Sequence, residues 1–259
     1  MSAEFTAIEQ AEYDQGAVGY SESQDSFDAV RRRLLAAPIR QSYVGWLRAI
    51  EKVHAPARIL DYCAGLGVHT LTLQETFPKA EVTAIDISPK ALDVGREEAA
   101  RLPEGQRKPV FSQMDGHRMD FPDGYFDLIS EFGSFSSLEF DKAIAEVRRV
   151  LRPGGVLIGV ETFGHNPLAN LKRQLNVLIG KRTKWCSEHI FNTAALEKMR
   201  AQFSSVHVEY HVFFALLLGV LPFRNAFLSS VFGRFDDFFL NRLKIGRKYA
   251  FKVVVTATK

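Results

Sequence analysis

The stretch Arg58 to Thr70, RILDYCAGLGVHT, constrains this chain more than any other. Apolar Ile59 and Leu60 run into a carboxylate, Asp61. A tight turn holding Gly65 and Gly67 follows, and His69 to Phe77 is compatible with a helix. The glycines let backbone N–H groups come close to a ligand, and the helix N-terminus adds partial positive charge. A strand-turn-helix unit of this kind belongs at the carboxyl edge of a parallel sheet, where small polar molecules bind.

From Pro56 onward strands and helices alternate, which predicts an α/β fold. Strands are expected at Ala57 to Asp61, Glu81 to Asp86, Pro109 to Met114, Tyr125 to Glu131 and Val156 to Glu161. Helices are expected at Val68 to Phe77, from Pro89 to about Arg101 behind a capping Ser88, and at Phe140 to Val150. LRPGG, Leu151 to Gly155, reads as a turn. The repeat is too short for a barrel of eight units, so an open, doubly wound sheet is preferred. Beyond it, Asn166 to Leu178 and Thr193 to Phe203 read as helices, and Val206 to Val212 and Tyr249 to Ala257 as strands. Ahead of the sheet, a polar arm up to about residue 23 is expected to be mobile or ordered by ligand. Two helices follow it, one from Ser26 and one over Ile39 to Val53 after the break at Pro38. The 259 residues thus read as a single domain: an N-terminal arm and helical cap (1–55), a binding core (56–161) and a C-terminal part with a helical insertion (162–259).

Composition removes several function classes. A formal charge of +3, with basic residues dispersed apart from Arg31 to Arg33 and Lys181 to Lys184, gives no reason to expect nucleic acid. Cys63 and Cys186 are far apart, which suits a reducing cytoplasm, and no CxxC pair suggests a metal. The polar, acidic N-terminus does not read as a signal peptide. The apolar run Val212 to Phe223 is shorter than the roughly 20 residues a membrane span needs.

Candidate binding residues sit at the strand ends. Asp61 precedes the glycine turn. Asp86, ending the second strand, is placed to accept from both hydroxyls of a ribose. Asp115 can accept from an adenine amino group, with Met114 and Ile87 packing on the ring. Glu131 to Ser134, including Phe132, follows the fourth strand and would lie beside a transferred group.

Taken in order and closed by LRPGG, these features make Ala57 to Glu161 resemble the class I S-adenosylmethionine (SAM)-dependent methyltransferases, of the Rossmann-like small-molecule subgroup. The resemblance implies a seven-stranded sheet whose last strands pair antiparallel. It implies SAM as cofactor, S-adenosylhomocysteine (SAH) as its product, and no metal. The cofactor-binding set would be Asp61, Cys63, Gly65, Gly67, Asp86, Ile87, Met114, Asp115 and Glu131. Cys63 stands where many members have a glycine, and would line the site without reacting. A dinucleotide is the competing ligand and an NAD(P)-dependent oxidoreductase the competing enzyme. Thr70 replaces the third glycine of that pattern, and no tyrosine is followed four residues later by lysine.

The expected reaction is methyl transfer to an O or N atom of a small acceptor that is apolar, lipid-like or a natural product. An alternative is a SAM-binding partner subunit that has lost catalysis. His165 and Glu131 are the candidate catalytic residues, His165 because imidazole titrates near neutrality, with a plain loop histidine as the competing reading. Tyr20, Phe132, His165 and His189 are expected on the acceptor side. His69 reads as structural and His117 as a neighbour of the adenine-side acid. Phe223, Phe227, Val231, Phe235 and Phe238 recur at helical spacing. Residues 212–243 would therefore form a packed lid, an acceptor pocket, a homodimer contact or a peripheral membrane contact, the last making the cytoplasmic chain membrane-associated.

Overall fold

The computed structural model describes residues 3–21, 27, 38–178, 185, 188–213 and 226–259. Within them seven strands form one sheet in the order β3-β2-β1-β4-β5-β7-β6. The strands are β1 (Arg58–Tyr62), β2 (Glu81–Asp86), β3 (Val110–Gln113), β4 (Phe126–Phe132), β5 (Leu151–Thr162), β6 (Ser205–His211) and β7 (Lys252–Thr258). β1 to β5 pair in parallel, and β7 runs antiparallel to both β5 and β6. Seven helices accompany them: α1 (Ala3–Ser21), α2 (Pro38–His54), α3 (Val68–Thr76), α4 (Pro89–Ala100), α5 (Phe140–Val150), α6 (Pro167–Leu178) and α7 (Thr193–Gln202). An eighth, α8 (Ala226–Asp236), runs on into a π-helical turn, Asp237–Arg242.

The strands alternate as a sheet covered on both faces requires. Val156, Ile158 and Val160 of β5 pack with Ile59, Leu128, and Tyr43 and Leu47 of α2. Leu157, with Leu60, Val253 and Val255, faces α5 and α7 on the other side. Local signals fix the helix starts: Ser88 Oγ accepts from Ala91 N at 3.1 Å with Pro89 next, and Asn192 Oδ1 accepts from Ala194 N and Ala195 N. A third cluster joins α3, α4 and β3 through Leu71, Leu92 and Phe111. There the Phe111 ring leaves no room for a Cβ at Gly95, where one would lie 2.5 Å from a ring carbon. It leaves little at Gly67, where φ is 78° and a Cβ would lie 3.0 Å away.

Two expectations change. The N-terminal arm is a helix, α1, because its alanine, glutamate and glutamine residues favour helix over the cost of Gly16 and Gly19, which face open space. LRPGG is the bulged start of β5, not a separate turn: Leu151 pairs with Phe126, the register then shifts, and Gly154 N donates to Lys259 O. The expected helix from Ser26 to the break at Pro38 lies outside the described residues apart from Phe27. So do Cys186, Lys181 to Lys184, and residues 214–225 of the aromatic insertion, Phe223 included.

Candidate functional site

A cleft opens at the carboxyl ends of β1, β2 and β4. Its walls include Cys63, Ala64 and Gly65 after β1, Asp86 and Ile87 after β2, and Met114, Asp115 and Gly116 after β3. Phe132, Gly133 and Ser134 follow β4, and Glu9 and Tyr13 reach in from α1.

The turn after β1 is set by backbone geometry. Cys63 has φ 56° and Gly65 φ 52°, the left-handed region that glycine enters freely and a cysteine enters at some cost. Cys63 therefore stands in a glycine conformation, and burial pushes its thiol well above its usual pKa, so it lines the cleft as a neutral group. Gly65 N donates to Asp86 Oδ2 at 2.8 Å and Ser88 N to Asp86 Oδ1 at 2.9 Å. Each oxygen of Asp86 keeps capacity for a further donor. Burial raises the Asp86 pKa, while these backbone bonds oppose the rise.

Asp115 is held from the side. His117 donates from Nδ1 to Asp115 Oδ1 at 2.7 Å, and its own backbone N–H reaches the same oxygen at 2.9 Å. His117 Nε2 accepts from Glu139 N at 3.0 Å, which fixes the tautomer with its hydrogen on Nδ1. The His117 bond holds the Asp115 carboxyl below its ordinary value and leaves Oδ2 for another donor. Below them, Tyr62 Oη donates to Gly116 O at 2.9 Å and fixes the turn after β3.

Three predicted cofactor residues support the cleft without lining it. Asp61 is buried and accepts from Thr70 Oγ1 at 2.6 Å; burial raises its pKa to about 7. Gly67 caps α3 and lies against Phe111 and Gly95. Glu131 is fully buried and accepts from Ser134 N and Ser134 Oγ through Oε1. Burial first, and the neighbouring Glu161 carboxylate second, push its pKa far up. Glu131, fully buried and bound to Ser134, positions the loop after β4 and does not line the cleft.

On the acceptor side the structure separates the expected residues. Phe132 lines the cleft, with the His69 ring stacked on it at 3.9 Å and Tyr43 edge-on at 5.6 Å. His165 lies outside it, in a separate depression with Arg173 and Glu188, and its Nε2 is 3.1 Å from Thr193 Oγ1. His189 stacks on Trp185 at 3.7 Å and is exposed. Tyr20 packs edge-on against Phe27, while Tyr13, about two helical turns earlier, reaches the cleft. The reason is axial distance: in α1 a spacing of seven residues keeps the two tyrosines on nearly one face but sets them about 10 Å apart along the helix, so they meet different neighbours.

Sequence reasoning also missed Glu9 and the way α1 is tied down. Tyr13 Oη is 2.8 Å from Ser137 Oγ, and Ser88 Oγ donates to Asp14 Oδ1 at 2.5 Å. The helix is fastened to the loops after β4 and after β2 by side chains that no local motif marks.

A family model described as a methyltransferase domain matches residues 59–155. A demethylmenaquinone methyltransferase of Thermus thermophilus is 37% identical over 145 residues, which is 55% of this chain and 63% of that protein. A ubiquinone/menaquinone biosynthesis C-methyltransferase of Nitrosospira multiformis is 32% identical over 143 residues, covering 52% of this chain and 57% of its own length. The matched stretch thus spans less than two thirds of either relative. Among solved structures, the magnesium protoporphyrin IX methyltransferase of Synechocystis PCC 6803 with bound SAH has a TM-score of 0.61 at 14% identity, over 98% of this chain and 99% of that one. A SAM-dependent methyltransferase of Archaeoglobus fulgidus has a TM-score of 0.55 at 16% identity, over 91% and 96% of the two chains. These two likenesses concern the fold.

Proposed function

We propose that the chain, whose residues 59–155 match a methyltransferase-domain family model on a seven-stranded sheet, is a SAM-dependent enzyme that methylates a ring carbon of a hydroquinone-type aromatic acceptor. The observation that carries the donor half is the pair of carboxylates at successive strand ends, Asp86 and Asp115, each pre-set by protein donors and each with an oxygen still able to accept. They suit a ribose and an adenine amino group, with Ile87 and Met114 beside the ring. When bound, SAM supplies an electrophilic methyl group on a positively charged sulfur.

The chain's own residues then bind, orient and shield. Asp86 and Asp115 fix the nucleoside, and Glu131 holds Ser134 and so the loop after β4. Glu9 and Tyr13 of α1 cover part of the cleft and displace water from it. Much of the acceleration then comes from positioning. For the acceptor, the names of the Thermus and Nitrosospira relatives supply the class, and they move the expected target atom from O or N to carbon. The Phe132 ring in the cleft wall, backed by the buried His69 and Tyr43 rings, offers a flat aromatic neighbour for such a ring.

The test is turnover of isotopically labelled SAM with 1,4-naphthohydroquinone, locating the label by NMR. A ring-methylated product supports the reading, and a methyl ether or no transfer overturns it. For an acceptor with an apolar tail, the docking surface is the end of α8 and the residues after it. There Phe235, Phe238, Leu243 and Ile245 are exposed beside Arg234, Arg242 and Lys244. No helix among the described residues is long and apolar enough to cross a membrane. Flotation with anionic liposomes checks this contact, and sedimentation of the free chain as a dimer would assign the surface to self-association instead.

A further inference from the structure

Two buried acids meet behind the cleft wall that follows β4. Glu131 is the next-to-last residue of β4 and Glu161 the next-to-last of β5. Gly159 pairs with Glu131 across the β4–β5 ladder, and Glu161, two residues on, projects from the same face of the sheet as Gly159. The missing side chain at Gly159 gives the Glu131 carboxyl its room, because a Cβ there would lie 3.0 Å from Glu131 Oε2. The two carboxyl groups hydrogen-bond to each other.

Their other partners say which of them holds the hydrogen. Glu161 accepts from Phe135 N through Oε1 at 2.8 Å and from Thr162 N through Oε2 at 3.1 Å, as a carboxylate does. Glu131 accepts from Ser134 N and Ser134 Oγ through Oε1 alone, while its buried Oε2 meets no N–H or hydroxyl donor among the described residues. A hydrogen on Glu131 Oε2, donated to Glu161, satisfies every oxygen of the pair. Burial first, and the Glu161 charge second, push the Glu131 carboxyl far up, and burial raises Glu161 against the pull of Lys252. Tyr43 of α2, and Tyr62 and Cys63 at the end of β1, add no negative charge, since burial drives all three upward. Lys252 of β7 acts on both acids, and Arg40 of α2 and Arg173 of α6 act on Lys252. The pair thus carries one proton and one negative charge.

The donors it receives are consecutive residues of one turn. Ser134 is bound to Glu131 and Phe135 to Glu161, next to Gly133 with its φ of 84°. Phe132, Gly133, Ser134, Ser137 and Leu138 are all in the cleft wall. We propose that Glu131 and Glu161 are positioning residues joined by one shared proton, and that this proton sets the loop after β4 in the form that receives SAM. When the proton passes to solvent, two like charges stand behind Ser134 and Phe135, the loop shifts, and the cleft loses its fit to the donor. Because the folded chain holds this proton more tightly than an exposed glutamate does, the effect is present at low pH and is lost as pH rises through the raised value. The proposal rests on SAM lying in this cleft and makes no use of the acceptor.

The proton can be read in the unaltered chain. With glutamate labelled with carbon-13 at the carboxyl, one glutamate should keep the NMR shift of a neutral acid at pH 7.5, and Glu131→Gln should remove that signal. The absence of any neutral glutamate, or a signal that survives in Glu131→Gln, overturns the proposal. These spectra need no SAM, so they stand apart from where the donor lies, and the first of them needs no variant to fold. Calorimetry with SAH at pH 7 tests the link to the cleft. Glu131→Gln keeps an acceptor for Ser134 and an N–H toward Glu161, so affinity should stay within about threefold, whereas Glu161→Gln sets an amide N–H against a backbone N–H and should weaken binding about tenfold. Equal losses in the two variants, or the reverse order, overturn the assignment. Raising the pH from 7 to 9.5 should weaken SAH binding by the unaltered chain at least about threefold more than by Glu131→Gln; one profile shared by both removes the proton from the loop's control.

Discussion

On the β1–β2–β3 side of the cleft, the polar groups that face a ligand come from strand ends or the residues just after them: Gly65, Asp86, Asp115. On the β5–β7 side the polar side chains Arg40, Arg173 and Lys252 do not line the cleft, and they are carried by two helices and an antiparallel strand more than two hundred residues apart at the extremes. The first side is held by backbone. Asp86 is set by two backbone N–H groups and Asp115 by one, so the geometry follows from the turns themselves. The second side is held by tertiary packing, with side chains on rings and one hydroxyl. The lining of the cleft is therefore built into the topology of the sheet, and the β5–β7 side is assembled by side-chain packing.

Substitutions can break that contrast. The largest effect is expected at Asp86. Asp86→Ala removes the acceptor for two hydroxyls and releases Gly65 N and Ser88 N, so SAH affinity measured by calorimetry should fall at least about a hundredfold, taking each hydrogen bond to a charged group at about 1.5–3 kcal/mol. Unchanged affinity would take the nucleoside out of this cleft. Asp61 tests the support beneath it. Its folded-state pKa of about 7 lies above the ordinary value of 3.8. The folded chain therefore holds a proton between those values that the unfolded chain has lost. The contribution of this group is greatest below the lower value and is lost as pH rises through the upper one, by at most about 4 kcal/mol. Asp61→Asn, which keeps an acceptor for Thr70, should flatten the fall in Tm between pH 5 and pH 8 by several degrees. An unaltered slope would mean that the burial of Asp61 is relieved in solution.

Smaller effects lie at the rim. Tyr13→Phe removes one neutral hydrogen bond, to Ser137, and should weaken SAH binding about three- to tenfold, read as a faster dissociation rate in stopped flow. His165→Ala should leave kcat and KM within about twofold, because the imidazole contacts Thr193 in a depression separate from the cleft. A drop of a hundredfold would restore His165 as the base and undo the separation drawn between the two sides.

The same contrast explains what could be read in advance. The strands, their order of appearance and six cleft-lining residues, Cys63, Gly65, Asp86, Ile87, Met114 and Asp115, follow from local signals: apolar runs ending on acids, glycines after them and capping residues ahead of helices. The ligand-facing side chains of a parallel sheet lie at strand ends by construction. Glu131 was visible by the same rule, but its burial was not, because burial depends on Glu161 and on the loop it holds. His165 and His189 were chosen for their chemistry alone. Nothing local records that one turns to Thr193 and the other to Trp185. Arg40 carried no signal beyond its place near the start of an amphipathic helix, since only the folded chain brings Phe132 under it. α1 was hidden because its glycines argued against a helix.

The close fit around Phe111 has a further meaning. A phenylalanine ring on β3 fills the space that side chains at Gly67 and Gly95 would take. The three positions stand far apart along the chain, yet sterically they are a single locus. Natural selection cannot enlarge Gly95 while the ring stays, and a smaller residue at position 111 would free it, whereas Gly67 stays bound by its φ of 78° and by the Gly95 backbone 3.2 Å from its Cβ position. Among related chains positions 95 and 111 should therefore change together, and a lone enlargement of Gly95 marks a chain in which the β3–α4 contact has been rebuilt.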